Sequence, residues 1–387
     1  MNHNLHRFSC ALALLLTMVS CHKDNDRPVP PTPTPPPPAP SASQPVCDNS
    51  NRTVVSARLI QIGELSQARV GMATVAAGNK VFFAGASVKE ENQYGSSRVD
   101  IFDASTQTWT KAELSEARSD IAAIAAGEKV FFAGGRLGDG AIDQLFSTVD
   151  IYNIETNTWS VATLSQPRAY IAAAAVGNKV LFAGGEKDVD YNTSTVVDIY
   201  DLTTGRWSVA HLSEERAYIS AITNNNKVYF AGGHKEDRWY KAPSKTIDVY
   251  DAATNTWSAT SLATPMGFIS GSTLGHTIFW VSHCTVEIKD LQTGTSTNAF
   301  LRAPGTWITV KGQQPALMDN KIIFFRHNYS NDNTQFDIYD IATQTWAVGT
   351  LSEKVRGASI ISVNNTIYLA GGAGATTTRN EVWKLEF

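Results

Sequence analysis

The feature that most constrains the fold is a block of about 49 residues that recurs from the first third of the chain to its end. An apolar run that ends in glycine marks each of the first four copies, at Gly85, Gly134, Gly184 and Gly232. Repeats of this length are typical of solenoids, propellers and arrays. Such scaffolds carry many unrelated sites, so function has to be inferred from the positions at which the repeats differ.

The glycine run has the same companions in each of these blocks. A Leu-Ser-x-x-Arg segment precedes it and ends at Arg69, Arg118, Arg168 or Arg216. A Val/Ile-Asp-Ile/Val-Phe/Tyr run follows it, and a polar turn and a tryptophan close the block. Short runs rich in Val, Ile, Phe and Tyr between Gly, Asn and Asp predict strands joined by tight turns. Four strands fit in each block.

This arrangement of glycines, aromatic residues, tryptophan and arginine resembles the kelch repeat over residues 54–387. The resemblance implies an all-β fold, a seven-bladed kelch-type β-propeller with four-stranded antiparallel blades. The seventh block ends at Phe387 without a tryptophan strand, whereas Leu59–Ser66 occupies the place of such a strand before Arg69. We therefore expect an N-terminal strand to close the last blade and to remove its open edge.

The first 20 residues predict a signal peptide, because a short apolar run ends in small residues just before Cys21. The sequence around Cys21 looks like a bacterial lipobox, which implies lipidation of this cysteine. The residues that follow, His22 to Asp26, are similar to the export signal of Bacteroidetes surface lipoproteins. We expect an outer-membrane lipoprotein at the cell surface, with a periplasm-facing location as the alternative.

Residues 21–53 predict a stalk between this lipid anchor and the propeller. Proline dominates from Pro28 to Pro45, and such a segment extends as polyproline II over about 50 Å. The mature chain also holds Cys47 and Cys284. They either form a disulfide between the end of the stalk and the fifth block or remain free thiols, and we favour the thiols.

Composition limits the partners. The formal net charge of −4 gives no support for binding to nucleic acid or to an anionic membrane surface. We expect a monomer that touches the membrane through its lipid anchor only. The sequence lacks the usual motifs of serine hydrolases, nucleotide-binding proteins and zinc proteases, and it predicts no cofactor and no metal.

Strand order predicts where a ligand would bind. The Gly-Gly turns and the Leu-Ser-x-x-Arg turns share one mouth of the central channel, where the resemblance implies that partners bind. Five arginines would form a broken ring there: Arg69, Arg118, Arg168, Arg216 and Arg356. They either pair with backbone carbonyl groups and nearby acids (Glu116, Glu214, Glu215, Glu353), which we favour, or they bind an anionic ligand.

Blocks three to six differ most from the consensus. Aromatic residues stand two positions beyond the arginine position, histidines and an arginine replace or follow glycines, and a long loop adds further side chains. The predicted ligand-binding residues are Arg168, Tyr170, Arg216, Tyr218, His234, Arg238, Trp239, Tyr240, Phe268, His283, Arg326 and His327. Aromatic and polar groups on one rim suit sugar rings or a peptide.

The sequence therefore predicts a binding module for glycan or protein and disfavours an enzyme. The enzyme alternatives are a carbohydrate-active protein resembling the sialate mutarotases or, with less support, the copper-containing galactose oxidases. The latter need a cysteine cross-linked to a tyrosine, and only Cys284 lies near the histidines in sequence. No catalytic residue is predicted.

Overall fold

The computed structural model describes residues 47, 48, 50–87, 94–138, 144–237, 240–302, 314–325, 334–353, 356–373 and 378–387. Cys21 and the predicted signal peptide lie outside these residues, as does the stalk before residue 47. The described chain contains strands and turns but no helix. Accordingly, this part of the chain has no helical segment with the length and apolarity needed to cross a bilayer.

The strands form consecutive four-stranded antiparallel units. The chain starts with β1 (Thr53–Glu64), and the first unit follows as β2 (Ala73–Ala77), β3 (Lys80–Ala84), β4 (Ser96–Asp103) and β5 (Thr108–Arg118). The second unit contains β6 (Ala122–Ala126), β7 (Lys129–Ala133), β10 (Thr148–Asn153) and β11 (Thr158–Thr163), with a small hairpin of β8 (Arg136–Leu137) and β9 (Gln144–Leu145). The third consists of β12 (Ala172–Val176), β13 (Lys179–Ala183), β14 (Val196–Asp201) and β15 (Trp207–His211).

The next two units follow the same plan. The fourth contains β16 (Ser220–Asn224), β17 (Lys227–Ala231), β20 (Thr246–Asp251) and β21 (Thr256–Ser261), with a hairpin of β18 (His234–Asp237) and β19 (Tyr240–Pro243). The fifth contains β22 (Ser270–Leu274), β23 (Thr277–Ser282), β24 (Thr285–Asp290) and β25 (Ser296–Phe300).

The last two units join in one eight-stranded sheet. The sixth contains β26 (Ala316–Met318), β27 (Lys321–Phe325), β28 (Gln335–Asp340) and β29 (Thr345–Leu351), and the seventh contains β30 (Ser359–Val363), β31 (Thr366–Ala370) and β32 (Glu381–Glu386). The described residues thus form seven units, in agreement with the predicted all-β propeller.

The N-terminal strand completes the seventh unit, as predicted. Residues 58–64 of β1 pair antiparallel with β32, so β1 is the outermost strand there. Residues 53–57 of the same strand pair in parallel with β29 of the sixth unit. Because β1 occupies the edge that β32 would otherwise expose, the first and last parts of the described chain close the ring together.

Strand position explains burial within each unit. The second strands are apolar almost throughout and fully buried, as in Val81–Ala84, because both of their faces meet neighbouring units. The outer strands carry the tryptophans; Trp109, for example, packs on Phe102 and Phe83 with ring centroids 4.8 and 6.2 Å apart. These tryptophans are half-buried packing residues between units, as the repeat pattern predicted.

The favoured prediction of free thiols is wrong. Cys47 and Cys284 form a disulfide with their Cα atoms 5.5 Å apart. Cys284 lies in the two-residue turn between β23 and β24 and is buried, with Cys47 packed against the same apolar cluster. Sequence could not bring these residues together, because 237 positions separate them.

Candidate functional site

The innermost strands of all seven units surround a central cavity of ≈ 480 Å³. Most of the side chains along its wall are small, such as those of Ala122, Ala172 and Ser220, so the strands approach closely without filling the channel. At one mouth the wall ends in Asp120, Tyr170, Tyr218 and Phe268. A cavity of this volume is within the range of small-molecule sites, and its mouth is where the repeats differ most.

The repeat arginines do not reach this mouth. Arg69, Arg118, Arg168 and Arg216 are fully buried, and each pairs with the third-strand aspartate of the unit that follows it. Each also donates hydrogen bonds to backbone carbonyl oxygens, as Arg168 does to Gly184 (2.5 Å) and Val196 (2.8 Å). This geometry fits the favoured prediction that the arginines pair with backbone carbonyl groups and acids. Their principal acidic partners, however, are the strand aspartates rather than the nearby glutamates.

The assignment of Arg168 and Arg216 to the ligand site is therefore corrected. Their guanidinium groups are inaccessible to a ligand, because they are fully buried and bonded within the propeller. Burial lowers the pKa of Arg69 to about 10, against the attraction of Asp100, and it lowers the pKa values of Arg168 and Arg216 for the same reason. A guanidinium with a pKa near 10 stays charged at neutral pH, so the Arg69–Asp100 pair remains ionic.

Arg356 does not belong to the ring either. It forms a β-bridge with Ala373, as Ala169 does with Glu186 and Ala217 with His234. Arg356 thus corresponds to the residue after the arginine position. Val355, which follows Leu351 at the same spacing as Arg69 follows Leu65, occupies the arginine position in the sequence.

The position two residues beyond the arginine is a left-handed turn residue in most units. Gly71 and Gly357 hold it with φ of 72° and 64°. Tyr170, Tyr218 and Phe268 hold it with φ of 54°, 56° and 46°. Left-handed backbone is costly for bulky residues and such outliers concentrate at functional sites. Local backbone preference therefore does not explain the aromatic residues at these positions.

These three residues and His234 form what we term the rim cluster. The Tyr170 and Tyr218 ring centroids are 4.4 Å apart, and Phe268 meets Tyr218 edge-on at 4.7 Å. His234 packs against Phe268 at 4.3 Å and against Tyr218 at 6.2 Å. The three aromatic side chains are half-buried and His234 is buried, so the cluster presents a partly exposed apolar wall to the channel mouth.

Charged groups that we did not predict as site residues border this wall. The Tyr218 hydroxyl donates to Glu186 Oε1 at 2.8 Å, and Glu186 is buried. Asp120 accepts from Arg136 Nε at 2.8 Å, and the Arg136 guanidinium lies 5.0 Å from the centre of the Tyr170 ring. The mouth thus joins aromatic faces to hydrogen-bonding oxygens and a cation.

A simple signal would have found these residues. Arg136, Glu186 and His234 each follow a Gly-Gly pair directly, and each bridges to the residue before the left-handed position. Of these three, only His234 is among the predicted site residues. Ser87 and Ala373 hold this position in the first and last units, and Arg136, Glu186 and His234 hold it in units two to four.

The surroundings of Tyr170 suppress its ionisation. Burial raises the pKa of its hydroxyl well above the ordinary value, and the negative charges of Asp120 and Glu186 raise it further. Arg136 opposes this effect. Tyr170 therefore stays protonated at neutral pH and is a hydrogen-bond donor beside two carboxylates.

His283 joins the site indirectly. Its Nδ1 lies 3.1 Å from Ser282 Oγ, and the Ser282 hydroxyl donates its proton to the Gly267 carbonyl oxygen at 2.5 Å. Gly267 in turn lies against His234: a Cβ on Gly267 would come within 2.1 Å of the imidazole ring. Burial lowers the pKa of His283. In the described residues, no three His, Cys, Asp or Glu side chains are grouped so as to hold a metal ion.

The positions of five predicted ligand-binding side chains are not described by the structure. Arg238, Trp239, Arg326 and His327 lie outside the described residues. Tyr240 begins β19, and its side chain is not described. Their role in the site stays a prediction.

Comparison with known proteins agrees with the architecture. Residues 117–163, 167–210 and 215–261 match the family described as Kelch motif. The chain carries kelch repeats. The solved structure of YjhT superposes with a TM-score of 0.51 at 12% identity, covering 82% of this chain and 95% of YjhT. No curated protein sequence matches the chain. The fold is a kelch-type propeller, and the likeness to YjhT at this identity concerns the fold alone.

Proposed function

We propose that this kelch-type propeller binds a glycan at the channel mouth. The observation that carries the proposal is the Tyr218 side chain, whose ring stands between Tyr170 and Phe268 and whose hydroxyl is held by Glu186. Sugars have C–H faces that pack on aromatic rings and hydroxyl groups that bond to carboxylates. The apolar wall is bordered by the partly exposed Asp120 and Arg136, while the buried Glu186 holds the Tyr218 hydroxyl, so the mouth provides both kinds of contact.

The same geometry favours a short glycan over a protein partner. Protein interfaces are broad and bury about 800 Å² on each side, whereas these groups converge on the opening of a cavity of ≈ 480 Å³. A cavity of this kind encloses a few sugar rings at most. A protein ligand would use the outer loops instead, several of which lie outside the described residues.

A glycan array followed by calorimetric titration tests the proposal. We expect Tyr218→Ala to weaken binding of the best array ligand by about tenfold or more, because one stacked aromatic ring contributes roughly 1–3 kcal/mol. Asn178→Ala is the matched control, since Asn178 lies in the exposed turn between β12 and β13 at the opposite end of the channel. An equal loss in both variants would place the site elsewhere.

An enzyme acting on a carbohydrate is the second candidate. It is favoured by two tyrosine–carboxylate neighbours, Tyr218 with Glu186 and Tyr170 with Asp120, because such pairs can pass protons to and from a bound sugar. Incubation of the wild-type protein with array ligands, monitored by NMR, tests it. Conversion of a ligand that is abolished by Glu186→Gln would replace the binding proposal with catalysis.

We also propose that lipidated Cys21 anchors the domain to the outer membrane, at the cell surface. Its support is the sequence alone, a short apolar run that ends in small residues before Cys21 and is followed by a proline-rich stalk. Cys21→Ser should move the protein from the detergent phase to the aqueous phase in detergent partitioning. Retention of the variant in membranes would refute the anchor, and accessibility of the wild type to protease on intact cells tests the surface location.

A further inference from the structure

The third strand carries a buried acid at the same place in six units. These residues are Asp100, Asp150, Asp198, Asp248, Glu287 and Asp337. Each accepts a hydrogen bond from the backbone N–H that follows a leucine recurring in every one of these units, as Asp100 does from Ser66 at 3.0 Å and Asp337 from Arg302 at 3.2 Å. In the first four units the arginine that neutralises this acid comes from the turn leading into the unit.

The sixth unit receives its arginine from elsewhere. Residues 303–313, which precede its first strand, contain no arginine. Instead, Arg52 Nη1 lies 2.8 Å from Asp337 Oδ1, although 285 positions separate the two residues. The Arg52 side chain is only 6% exposed and the carboxylate of Asp337 is fully buried. Arg52 therefore plays in the sixth unit the part that Arg69 plays in the first.

Further contacts hold the Arg52 guanidinium in place. It donates to Asp48 Oδ2 through Nη2 (2.6 Å) and Nε (3.1 Å), and to the Phe300 carbonyl oxygen at 2.5 Å. The guanidinium also lies 4.8 Å from the centre of the Trp346 ring. Asp48 is itself fixed by the hydrogen bond from its N–H to the Leu301 carbonyl oxygen at 3.1 Å.

One covalent bond secures this segment. Residues 47, 48 and 50–52, which we term the N-terminal latch, are tied to the fifth unit by the Cys47–Cys284 disulfide. Immediately after the latch, β1 pairs with β29 and then with β32. A single short stretch thus joins the fifth, sixth and seventh units.

We propose that the Cys47–Cys284 disulfide is a redox-dependent latch that delivers Arg52 to Asp337, so that the ring closes fully only after oxidation. Closure joins the two Sγ atoms and transfers two electrons and two protons to a disulfide oxidant, which becomes a dithiol. In the reduced chain the latch is held by noncovalent contacts alone. Whenever it detaches, Asp337 loses a buried cation and β1 loses its fixed starting point, so the closing strand opens more often.

Hydrogen exchange of the full mature chain, with and without a reducing agent, tests the proposal. Reduction should speed exchange at Val54–Ala57 and in the strand they pair with, β29, by about tenfold or more, while β12–β15 of the third unit keep their protection. The reduced protein should also melt about 5 °C or more below the oxidised protein. Unchanged exchange in β1 would overturn the latch.

Arg52→Gln separates two effects of the disulfide: the placement of Arg52 beside Asp337 and the general stabilisation by a cross-link. If the disulfide acts through Arg52, reduction should lower the melting temperature of Arg52→Gln much less than that of the wild type. Arg58→Gln is the matched control, because Arg58 lies on β1 with an exposed side chain and only a 3.7 Å contact to Glu386. Strictly additive effects of reduction and Arg52→Gln would show that the disulfide works independently of this arginine.

Discussion

The rings of Tyr170 and Tyr218 lie 4.4 Å apart, and both residues adopt left-handed backbone that disfavours large side chains. Gly71 and Gly357 adopt it at the equivalent positions without that penalty. A fold that needed only a turn would have gained stability from glycine in every unit. The aromatic rings therefore have a role outside local folding, which fits a recognition surface at the channel mouth.

Replacing Tyr218 with glycine separates the effect of the left-handed backbone from the effect of the aromatic ring. Glycine relieves the left-handed backbone but removes the ring and its bond to Glu186, so we expect the free energy of unfolding to change by less than about 1 kcal/mol. Binding of the array ligand should fall by about tenfold or more. Asn225→Gly is the control, since Asn225 is also left-handed (φ 53°) and lies at the other end of β16. A large loss of stability in Tyr218→Gly would identify the ring as a structural residue.

The buried acids should differ in what they contribute. Asp198→Asn leaves Arg168 buried without the carboxylate that pairs with it, and we expect it to cost about 3–5 kcal/mol in chemical denaturation. Glu287→Gln should cost less than about 1 kcal/mol, because Met266 stands where Arg216 stands in the preceding unit. Glu287 Oε2 accepts from the Ala263 N–H at 2.8 Å, and Oε1 has no hydrogen-bond partner in the described structure. Similar costs for the two changes would contradict this account.

His234 should require a residue without a side chain at position 267. An alanine Cβ there would come within 2.1 Å of the imidazole ring, so Gly267→Ala should destabilise the protein by about 1–3 kcal/mol. Adding His234→Ala removes the ring and should recover most of the loss, which thermal unfolding of the single and double variants can measure. Full additivity of the two changes would show that they do not share this contact.

His283 should make stability fall on acidification. Burial lowers its folded-state pKa below the ordinary 6.5, so the unfolded chain binds the proton more readily. The stabilising contribution is complete above about pH 6.5 and decreases as the pH falls through the folded-state pKa. His283→Asn, which suits the left-handed backbone (φ 54°), should flatten the pH dependence of the melting temperature. The exposed His211→Asn is the comparison, and an unchanged slope in His283→Asn would refute the prediction.

The closing strand should be essential for solubility. Deleting residues 46–63 exposes the hydrogen-bonding edge of β32 along with part of the seventh unit's apolar face. We expect aggregation in size-exclusion chromatography, because an open edge pairs readily with another chain. A soluble monomer with an unchanged melting temperature would show that β1 is dispensable.

The repeat unit was predictable because its signals are local. Val81–Ala84 and its counterparts carry strand-forming residues ended by glycine, and the recurring tryptophans fixed the period. Arg356 was misplaced because Val355 replaces the repeat arginine and an unrelated arginine directly follows it. The charged part of the site was missed because Arg136 and Glu186 resemble ordinary loop residues until the structure places them beside Tyr170 and Tyr218.

Contacts between distant segments were beyond such reasoning. Nothing near Arg52 in the sequence points to Asp337, and nothing near Cys47 points to Cys284. These pairs exist only because the segment before β1 packs against the fifth and sixth units. Their geometry depends on how all the units stack, which no window of the sequence records.

The same disulfide determines how the domain carries mechanical load. A pull on the chain ahead of Cys47 passes through the disulfide to Cys284, which lies among buried apolar residues of the fifth and sixth units. The covalent path reaches the fifth unit before it reaches Arg52 or β1, so the closing strand carries little of the tension. If the protein is anchored at Cys21, shear at the cell surface would load the fifth unit and leave the pairing of β1 with β29 and β32 largely unloaded.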